Sequence, residues 1–459
     1  GRAPKFPQPS RLGLLARYAR RSGDEEAKRQ LAATLHAMAD GGIRDHVGGG
    51  FHRYSTDARW QVPHFEKMLY DNALLSRVYL HAWQVTGHDR WLQVASETID
   101  YVRRDLRHPG GGFYSAEDAD SEGVEGKFYI WSEEEIRDVC GGDSEAALSW
   151  YGVTPKGNFE GANILIRPER GALVRPEDVE RSRVALFRQR ERRIRPGLDD
   201  KVLTEWNGLM LSTLAEGAAA TGRTDWLEDA VSNARFLWEN LRRDDGRWMR
   251  SWQADGGSRH LAYAADHAAM IDGLVRLGEA TGEARWTDMA VDTADTLLTR
   301  FSDQYNGGFF STGNDAETLI TRPKDVFDNA HPSANSLAAL ALLRLGALTG
   351  EGRFTDAAES VLRLLGRNAV RQPTAFGRLL EAIDLFHSGT TEVVVTGDRP
   401  DLVSAVASSY RPNTVLAWGE RRPEPLWDGR EGNQAWVCRN RTCTAPVDNV
   451  EALLTNLGD

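Results

Sequence analysis

The stretch Thr86-Gly87-His88-Asp89-Arg90-Trp91 recurs along the chain and decides the fold. Its copies are Thr221-Gly222 with Trp226, Thr281-Gly282 with Trp286, Thr349-Gly350 with Phe354, and a frayed first copy, Ser22-Gly23-Asp24. Each copy lies between two amphipathic stretches. A glycine directly after a helix supplies the left-handed conformation that ends it, and the following aromatic residue packs the start of the next helix onto the turn. Each copy therefore predicts the tight turn of a helical hairpin.

The spacing of the copies predicts a repeat architecture. They are about 60–68 residues apart, except for one gap of about 135 residues that has room for a diverged copy. About six hairpins follow, over residues 12–39, 65–106, 133–193, 208–241, 268–301 and 334–365, with a last helix over 376–386. Consecutive hairpins that connect on one side close into a double ring of helices. We therefore predict an all-α (α/α)6 toroid, with an open solenoid as the alternative.

The last part of the chain has a different pattern. Thr391–Thr396 is a β-branched run followed by Gly397-Asp398, and a helix over 401–407 and a second extended run, Asn413–Trp418, come next. We predict a toroid domain over residues 1–389 and a small α/β appendage over residues 390–459. The Gly-Asp turn lacks the G-x-G-x-x-G pattern, so it predicts no nucleotide site.

Composition excludes several classes of partner. The net charge is −11 and no long Lys/Arg cluster is present, so we predict no nucleic-acid surface. No apolar run reaches membrane-spanning length and no signal peptide is present, so we predict a cytoplasmic protein without a membrane partner. Three cysteines argue against a disulfide framework, and Cys438 and Cys443 have no neighbouring histidine that would suggest zinc. No cofactor is predicted.

Polar residues recur in the N-terminal turn of the leading helix of four hairpins. They are His64 and Asp71, then Asn207, then Asp266 and His267, then His331 and Asn335. Ring closure would bring these turns to one mouth. Helix caps account for single polar residues, but caps do not require histidine, and three histidines near carboxylates suit acid–base chemistry near neutral pH. The spacing shows neither H-x-x-E-H nor H-E-x-x-H, so no metal site is predicted.

The loops between hairpins add aromatic and charged residues that we predict to line a polar, aromatic sugar-binding cavity. The candidates are Phe51, His52, Arg53, Tyr54, Trp60, Lys67 and Trp206, together with the acidic loop residues Glu117, Asp118 and Asp120. The acidic residues suit sugar hydroxyls or a hydrolytic carboxylate pair. A solvated acidic loop or a calcium site is the alternative for them.

Long motifs resemble the spermatogenesis-associated, thioredoxin-domain-containing family over nearly the whole chain. The motifs are Gly49-Gly-Phe-His-Arg-Tyr-Ser, Pro63-His-Phe-Glu-Lys-Met-Leu-Tyr-Asp-Asn, Ser115-Ala-Glu-Asp-Ala-Asp-Ser-Glu-Gly, Gly157-Asn-Phe-Glu-Gly and Thr204-Glu-Trp-Asn-Gly-Leu. The resemblance implies a thioredoxin-like domain followed by a six-hairpin glycosidase-like toroid. The chain opens with Gly-Arg-Ala-Pro and has no Cys-x-x-Cys, so we expect that upstream domain to be missing here and assign no redox chemistry from it.

The toroid in turn resembles the N-acylglucosamine 2-epimerase superfamily. This resemblance implies a small carbohydrate substrate and an acid–base pair, His267 and His331, that moves the C2 proton, with both imidazoles near neutral pKa. His64, Asp266 and Asp71 are the further catalytic candidates, and Arg53 or Lys67 would stabilise an enolate. Whether the chain is an enzyme stays open, because three hypotheses compete: a sugar epimerase or isomerase, a glycoside hydrolase that uses the carboxylates above, and a non-catalytic carbohydrate-binding or scaffold module.

Overall fold

The computed structural model describes residues 2–169, 171, 174–317, 320–439 and 442–458. The helices are α1 (Pro9–Ser22), α2 (Glu25–Asp40), α3 (Leu69–Thr86), α4 (Asp89–Asp105), α5 (Glu133–Cys140), α6 (Ser144–Trp150), α7 (Glu177–Arg190), α8 (Thr204–Thr221), α9 (Thr224–Leu241), α10 (Ala264–Thr281), α11 (Ala284–Phe301), α12 (Ala334–Thr349), α13 (Gly352–Arg371), α14 (Gly377–Ser388), α15 (Pro400–Ala407) and α16 (Val450–Leu457). The strands are β1 (Tyr54–Ser55), β2 (Pro63–His64), β3 (Lys67–Met68), β4 (Ala116–Glu117), β5 (Asp120–Ser121), β6 (Val124–Glu125), β7 (Leu198–Asp199), β8 (Val202–Leu203), β9 (Met249–Gln253), β10 (Gly257–Leu261), β11 (Thr391–Val395), β12 (Thr414–Ala417), β13 (Ala435–Arg439) and β14 (Thr442–Cys443).

Two compact units divide the chain. The first comprises Gly1–Pro9, Gly23–His108 and Phe113–Asp200, and the second comprises Ser10–Ser22, Pro109–Gly112 and Lys201–Asp459. The second unit continues across residue 389, and the domain boundary predicted there stays a prediction.

The predicted hairpin turns are confirmed for the pairs α3–α4, α8–α9, α10–α11 and α12–α13. The connecting glycines have φ angles of +69°, +72°, +70° and +74° at Gly87, Gly222, Gly282 and Gly350, and the aromatic residues Trp91, Trp226, Trp286 and Phe354 are buried. The threonine before each glycine caps the turn as well. The Thr221 hydroxyl donates to the Gly217 carbonyl at 2.6 Å and accepts the Arg223 N–H at 3.4 Å, and the other three threonines repeat both contacts.

In the second unit the leading helix of each hairpin is the interior one. α8, α10 and α12 are buried along almost their whole length, and α10 packs against both others. Helices that are apolar all round belong in an interior. Glycine allows α8 and α10 to approach closely, because a Cβ on Gly208 would lie 2.8 Å from the Ala269 backbone. Within the described ranges, no helix is long and apolar enough to cross a membrane.

The irregular region over residues 133–193 contains three helices rather than one pair. In the first unit α5, α6 and α7 surround a core that includes Trp131, Leu148 and Tyr151. The short strands β3, β4 and β7 form an antiparallel sheet with β4 in the centre.

The C-terminal segment of the second unit is the predicted α/β element. Its sheet has the order β12-β11-β13-β14, in which β11 pairs parallel with β12 and antiparallel with β13. α15 and α16 pack against its apolar core. The sequence predicted no disulfide framework, yet Cys438 and Cys443 form a disulfide because the β13–β14 register places them opposite each other.

Two glycines of the repeat provide a matched test of the turn. Gly222→Ala is expected to lower the free energy of unfolding by about 1–2 kcal/mol, because alanine must adopt the left-handed conformation. Its Cβ would meet no other atom within 4 Å, so no steric clash adds to this loss. Gly282→Ala is expected to cost more, since its Cβ would also lie 2.9 Å from the Trp418 ring. Denaturant unfolding of both variants measures the difference, and equal losses would contradict it.

Candidate functional site

In the second unit five charged side chains meet at the starts of successive interior helices. We call Glu205, Arg250, Asp266, Asp325 and His331 the acid–base cluster. Glu205 lies in the first turn of α8 and Asp266 in that of α10, while Arg250 lies on β9. Asp325 and His331 belong to the loop before α12. Of the predicted helix-start residues, Asp266 and His331 belong to this cluster. That the whole predicted set lines one cavity stays a prediction.

His331 and Glu205 form the central pair of the cluster. His331 Nδ1 lies 3.0 Å from Glu205 Oε1; the histidine side chain is 37% exposed and the glutamate side chain 4%. Burial alone would lower the pKa of His331, but the hydrogen bond to Glu205 and its charge outweigh burial and raise the pKa to about 9. The pKa of Glu205 is lowered, because His331 and Arg250 outweigh the effect of its burial. The pair is thus an imidazolium held by a carboxylate at neutral pH.

Asp266 positions the other members. Its two oxygens lie 3.0 and 2.9 Å from Arg250 Nη1, and they accept the backbone N–H of Glu205 at 2.9 Å and of Tyr263 at 2.7 Å. Burial and the neighbouring charge of Glu205 raise the pKa of Asp266 to about 6 against the opposing effect of Arg250. Because Asp266 is completely buried, it acts on a ligand only through the groups that it holds.

Asp325 supplies a second titrating group beside the imidazole. This carboxylate is half-buried, and its Oδ2 accepts the Ala334 N–H at 2.8 Å. Burial raises its pKa, although the charge of His331 opposes the rise. The cluster therefore contains a protonated imidazole and a carboxylate of raised pKa whose charges interact, and such a pair suits proton transfer.

The raised pKa of His331 has a consequence for stability. The folded pKa of about 9 exceeds the ordinary 6.5, so the contribution of the pair is complete below about pH 6.5 and disappears as the pH rises through about 9. We expect the difference in unfolding free energy between the protein and His331→Asn to be constant on the acidic side and to shrink toward zero above this window. Urea unfolding across that pH range measures it. A difference that grows with pH would contradict the pairing.

His267 does not share these properties. Its side chain is completely buried, its Nδ1 lies 2.9 Å from the Tyr263 carbonyl oxygen, and its ring packs on Phe301 at 4.8 Å. Burial lowers its pKa to about 3, and the charges of Arg247 and Arg242 add to the effect. The expectation that His267 and His331 both titrate near neutrality is therefore not met, since their pKa values shift in opposite directions. A catalytic role for His267 stays a prediction without support from its geometry.

Asn207 and Asn335, predicted to bind substrate, are buried and hold loops. The Asn335 amide accepts the Phe309 N–H at 2.8 Å and donates to the Phe309 carbonyl at 2.9 Å. In the first unit Asn72 makes the same two contacts with Phe51, at 2.7 and 3.0 Å. Asn207 donates to the Leu203 carbonyl and accepts from Asn233, which itself donates to the Gly111 carbonyl. These asparagines brace glycine-rich loops, and their role as substrate ligands stays a prediction.

Lys67 of the first unit is likewise a loop brace. Its Nζ donates to Asp45 at 2.8 Å and to the Gly49 carbonyl at 2.9 Å, and its side chain is 1% exposed. In the second unit Lys324 donates in the same way to Asp303 at 2.8 Å and to the Gly307 carbonyl at 2.6 Å. The two units thus contain equivalent Asp–Lys braces. Enolate stabilisation by Lys67 has no support from this geometry.

His64, Arg53 and Tyr54 form a half-buried group in the first unit. His64 Nδ1 lies 2.7 Å from Glu125 Oε1, the ring stacks on Tyr54 at 4.9 Å, and Arg53 pairs with Glu66 at 2.9 Å. Asp71 is buried in the first turn of α3. The prediction that His64 and Asp71 share one cavity with His331 stays a prediction.

The remaining predicted ligands divide by exposure. Phe51, His52 and Trp60 are buried, with Phe51 stacked on Tyr79, so they present no surface to a ligand. Glu117 is also buried and pairs with Tyr101 at 2.7 Å and Arg195 at 2.7 Å. Asp118 and Asp120 are exposed, and Trp206 is half-buried. Among the described residues no group of three or more His, Cys, Asp or Glu side chains is arranged to hold a metal.

Sequence reasoning missed Glu205, Arg250 and Asp325 as members of the cluster. Glu205 occupies the same first turn as Trp206 and Asn207, and this position at a helix start is the signal for it in the sequence. Arg250 gave no comparable signal, because it lies in a hairpin strand whose position opposite Asp266 depends on tertiary packing.

Comparison with known proteins yields relatives of the whole chain. Spermatogenesis-associated protein 20 from Homo sapiens is 35% identical over 510 residues, which cover 97% of this chain and 65% of the human protein. An uncharacterized protein from Caenorhabditis elegans is 30% identical over 513 residues, which cover 99% of this chain and 70% of that protein. The chain thus spans a little under two thirds of the length of the human protein. No family model matches the chain.

Solved structures show the fold. A cellobiose 2-epimerase from Bacillus thermoamylovorans has a TM-score of 0.52 at 10% identity, with 80% of this chain and 77% of that chain covered. A D-mannose isomerase has a TM-score of 0.53 at 10% identity, covering 80% and 76%. An unsaturated glucuronyl hydrolase specific for heparin has a TM-score of 0.51 at 12% identity, covering 84% and 91%. The predicted (α/α)6 toroid with a small C-terminal α/β element is confirmed.

Proposed function

The chain belongs to the spermatogenesis-associated protein 20 family, and we propose that it is a carbohydrate-active enzyme that moves the proton on the carbon beside a sugar carbonyl. The observation that supports this proposal is the partly exposed His331 imidazolium held by the buried Glu205. The carboxylate of Asp325, whose pKa is raised, interacts electrostatically with the same imidazole. Such a reaction interconverts C2 epimers or an aldose and a ketose. It requires an acid and a base at adjacent atoms of one substrate.

The proposed roles follow from the protonation states. Asp325 removes the C2 proton as the base, and His331 donates a proton to the carbonyl oxygen as the acid, so that a neutral enediol forms rather than a free enolate. Glu205 keeps the imidazole protonated and oriented, while Arg250 adds positive charge beside the developing oxyanion. Return of the proton to C1 then gives the ketose isomer, whereas the C2 epimer forms only when a proton reaches the face of C2 opposite to the one from which Asp325 removed it.

Tyr263 is the proposed platform for the sugar ring. It is 43% exposed, its backbone N–H is bonded to Asp266, and the Arg250 guanidinium lies 4.8 Å from the centre of its ring. The guanidinium covers part of the aromatic surface and leaves the rest accessible. Aromatic rings bind the apolar C–H faces of sugars while polar groups bind the hydroxyls, so an exposed ring beside the acid–base cluster suits a carbohydrate.

Glycoside hydrolysis is the second candidate. Glu205 and Asp266 are neighbouring carboxylates whose pKa values shift in opposite directions, which is the pattern of a nucleophile or base paired with a general acid. Complete burial of Asp266 under Arg250 weighs against this reading, because a general acid must reach the glycosidic oxygen. A carbohydrate-binding module without catalytic activity is the third candidate function.

A small substrate panel tests the proposal. The cellobiose 2-epimerase and the D-mannose isomerase share only the fold at 10% identity, yet their names indicate which sugars to try first. The protein is incubated with mannose, fructose, cellobiose and an unsaturated glucuronyl disaccharide, and the products are followed by NMR. A C2 epimer or ketose product supports the proposal. Release of new reducing ends would replace it with hydrolysis, and saturable binding without any product would replace it with a binding role.

A further inference from the structure

The C-terminal segment carries a feature that the proposed function does not use, the Cys438–Cys443 disulfide. The two cysteines face each other across β13 and β14. Cys438 is 1% exposed, whereas Cys443 is half-buried. An attacking thiol therefore reaches Cys443 first, and Cys438 would be the leaving group.

A cation is fixed against both sulfurs. Arg430 Nη2 lies 3.3 Å from Cys438 Sγ and 3.0 Å from Cys443 Sγ. The guanidinium is held there because its Nη1 donates to the backbone carbonyls of Pro425, at 3.2 Å, and Leu426. A neutral disulfide sulfur is a weak acceptor, while a thiolate is a charged one, so the same contact becomes much stronger after reduction.

A cavity of about 520 Å³ borders Cys438. Cys438 and Arg430 form part of its wall, and Leu343, Leu385 and Phe386 from the helices form another part. The residue that would be the leaving group therefore lies at the wall of an open cavity.

We propose that Cys438–Cys443 is a redox-active disulfide that exchanges with low-molecular-weight thiols, and that Arg430 stabilises the Cys438 thiolate. In the first step a thiolate RS⁻ attacks Cys443 Sγ, the S–S bond breaks, and its electron pair leaves on Cys438, which gives a mixed disulfide RS–S–Cys443. A second RS⁻ attacks the sulfur of the bound thiol, releases RSSR and leaves the Cys443 thiolate. The protein disulfide is reduced by two electrons, and two thiols are oxidised to one disulfide.

The charges that face the pair predict the sign of two substitutions. Arg430 stabilises the reduced form, whereas Glu392 on β11 lies directly opposite Cys438 in the β11–β13 register and places a carboxylate on the same face of the sheet. Asp428 is a further acidic group that interacts with Arg430. Loss of the Arg430 charge should disfavour reduction, and loss of the Glu392 charge should favour it. A disulfide whose reduced form is not stabilised by Arg430 would not respond in opposite directions to these two substitutions.

The experiment is a redox titration of the whole chain in reduced and oxidised glutathione. Samples are quenched with acid, alkylated and analysed by mass spectrometry. Arg430→Gln is expected to make reduction about tenfold less favourable, which corresponds to a midpoint about 30 mV more negative. Glu392→Gln is expected to shift the midpoint in the positive direction. Arg399→Gln is the matched control, because Arg399 pairs with Asp401 in the same segment and should leave the midpoint unchanged.

A second measurement uses only the wild-type protein, so it tests the proposal even if a variant fails to fold. The rate of alkylation of the reduced wild-type pair is followed against pH, and its inflection is expected below the ordinary thiol pKa of about 8.5. An inflection at or above that value would overturn the proposal. Equal midpoints for the protein and Arg430→Gln, or a disulfide that stays oxidised throughout the glutathione range, would overturn it as well.

Discussion

Replacement of His331 by asparagine is expected to lower kcat on the responsive sugar by about 10²–10⁴-fold, the usual contribution of a general acid. Asparagine keeps a hydrogen-bonding group near Glu205, but its amide is too weak an acid to transfer a proton to the substrate at neutral pH. Because the imidazole acts on the carbonyl oxygen rather than on the hydroxyls, KM should change by less than kcat. Steady-state kinetics by NMR or a coupled assay gives both constants.

Two variants serve as references for this result. His260→Asn changes an exposed histidine of β10 in the same unit and should leave kcat unchanged. Glu205→Gln removes the carboxylate that raises the pKa of His331, so the basic limit of the pH–rate profile should move toward lower pH. A His331→Asn enzyme with wild-type kcat would transfer the proposed acid role to another residue, with the carboxylates of the 117–120 loop as the next candidates.

Asp45→Ala is expected to destabilise the first unit by about 5 kcal/mol, the upper end for a broken buried ion pair. Arg190 and Lys67, with side chains 3% and 1% exposed, would both lose their counter-charge, and the N–H groups of Val47 and Gly48 would lose their acceptor. These partners outweigh burial and hold the pKa of Asp45 well below its ordinary value. The contribution of ionised Asp45 to the free energy of unfolding is therefore present above about pH 4 and is lost as the pH falls through the lowered pKa.

Asp303→Ala in the second unit is the matched control. Asp303 makes the equivalent contact with Lys324, but Lys324 is 15% exposed and can be solvated when its partner is removed. The loss of unfolding free energy should be clearly smaller than for Asp45→Ala when both variants are unfolded in guanidinium. Equal losses would show that the deeper burial of the Asp45–Lys67 pair does not determine its contribution to the free energy of unfolding.

Most of the fold was predictable because each helical hairpin uses the same short turn sequence, which determines the turn locally. Gly222 and Gly282 end helices through their own backbone freedom, and Trp226 and Trp286 pack onto the same turn, so the pattern is visible in the sequence without any tertiary information. The region over residues 133–193 lacks that pattern. Its three short helices depend on packing around Trp131, which no local signal reveals.

The candidate site was predictable only in part. His331 and Asp266 were identified because ring closure brings equivalent helix starts together. His267 is adjacent to Asp266 in sequence, yet on a helix neighbouring residues point in different directions, and this side chain is directed into the core. A repeat in the sequence indicates the bracing role of Lys67, since Asp45-x3-Gly-Gly-Phe returns as Asp303-x3-Gly-Gly-Phe with a lysine further along the chain in each case.

One measurement tests the proposed proton transfer most directly. Mannose and cellobiose are incubated in D₂O with the protein or with His331→Asn, and the C2 proton signal is followed by NMR. We predict that the signal is lost as deuterium enters at C2 in the presence of the protein, and that it persists with His331→Asn. New reducing ends without deuterium at C2, or full exchange with His331→Asn, would contradict the proposal.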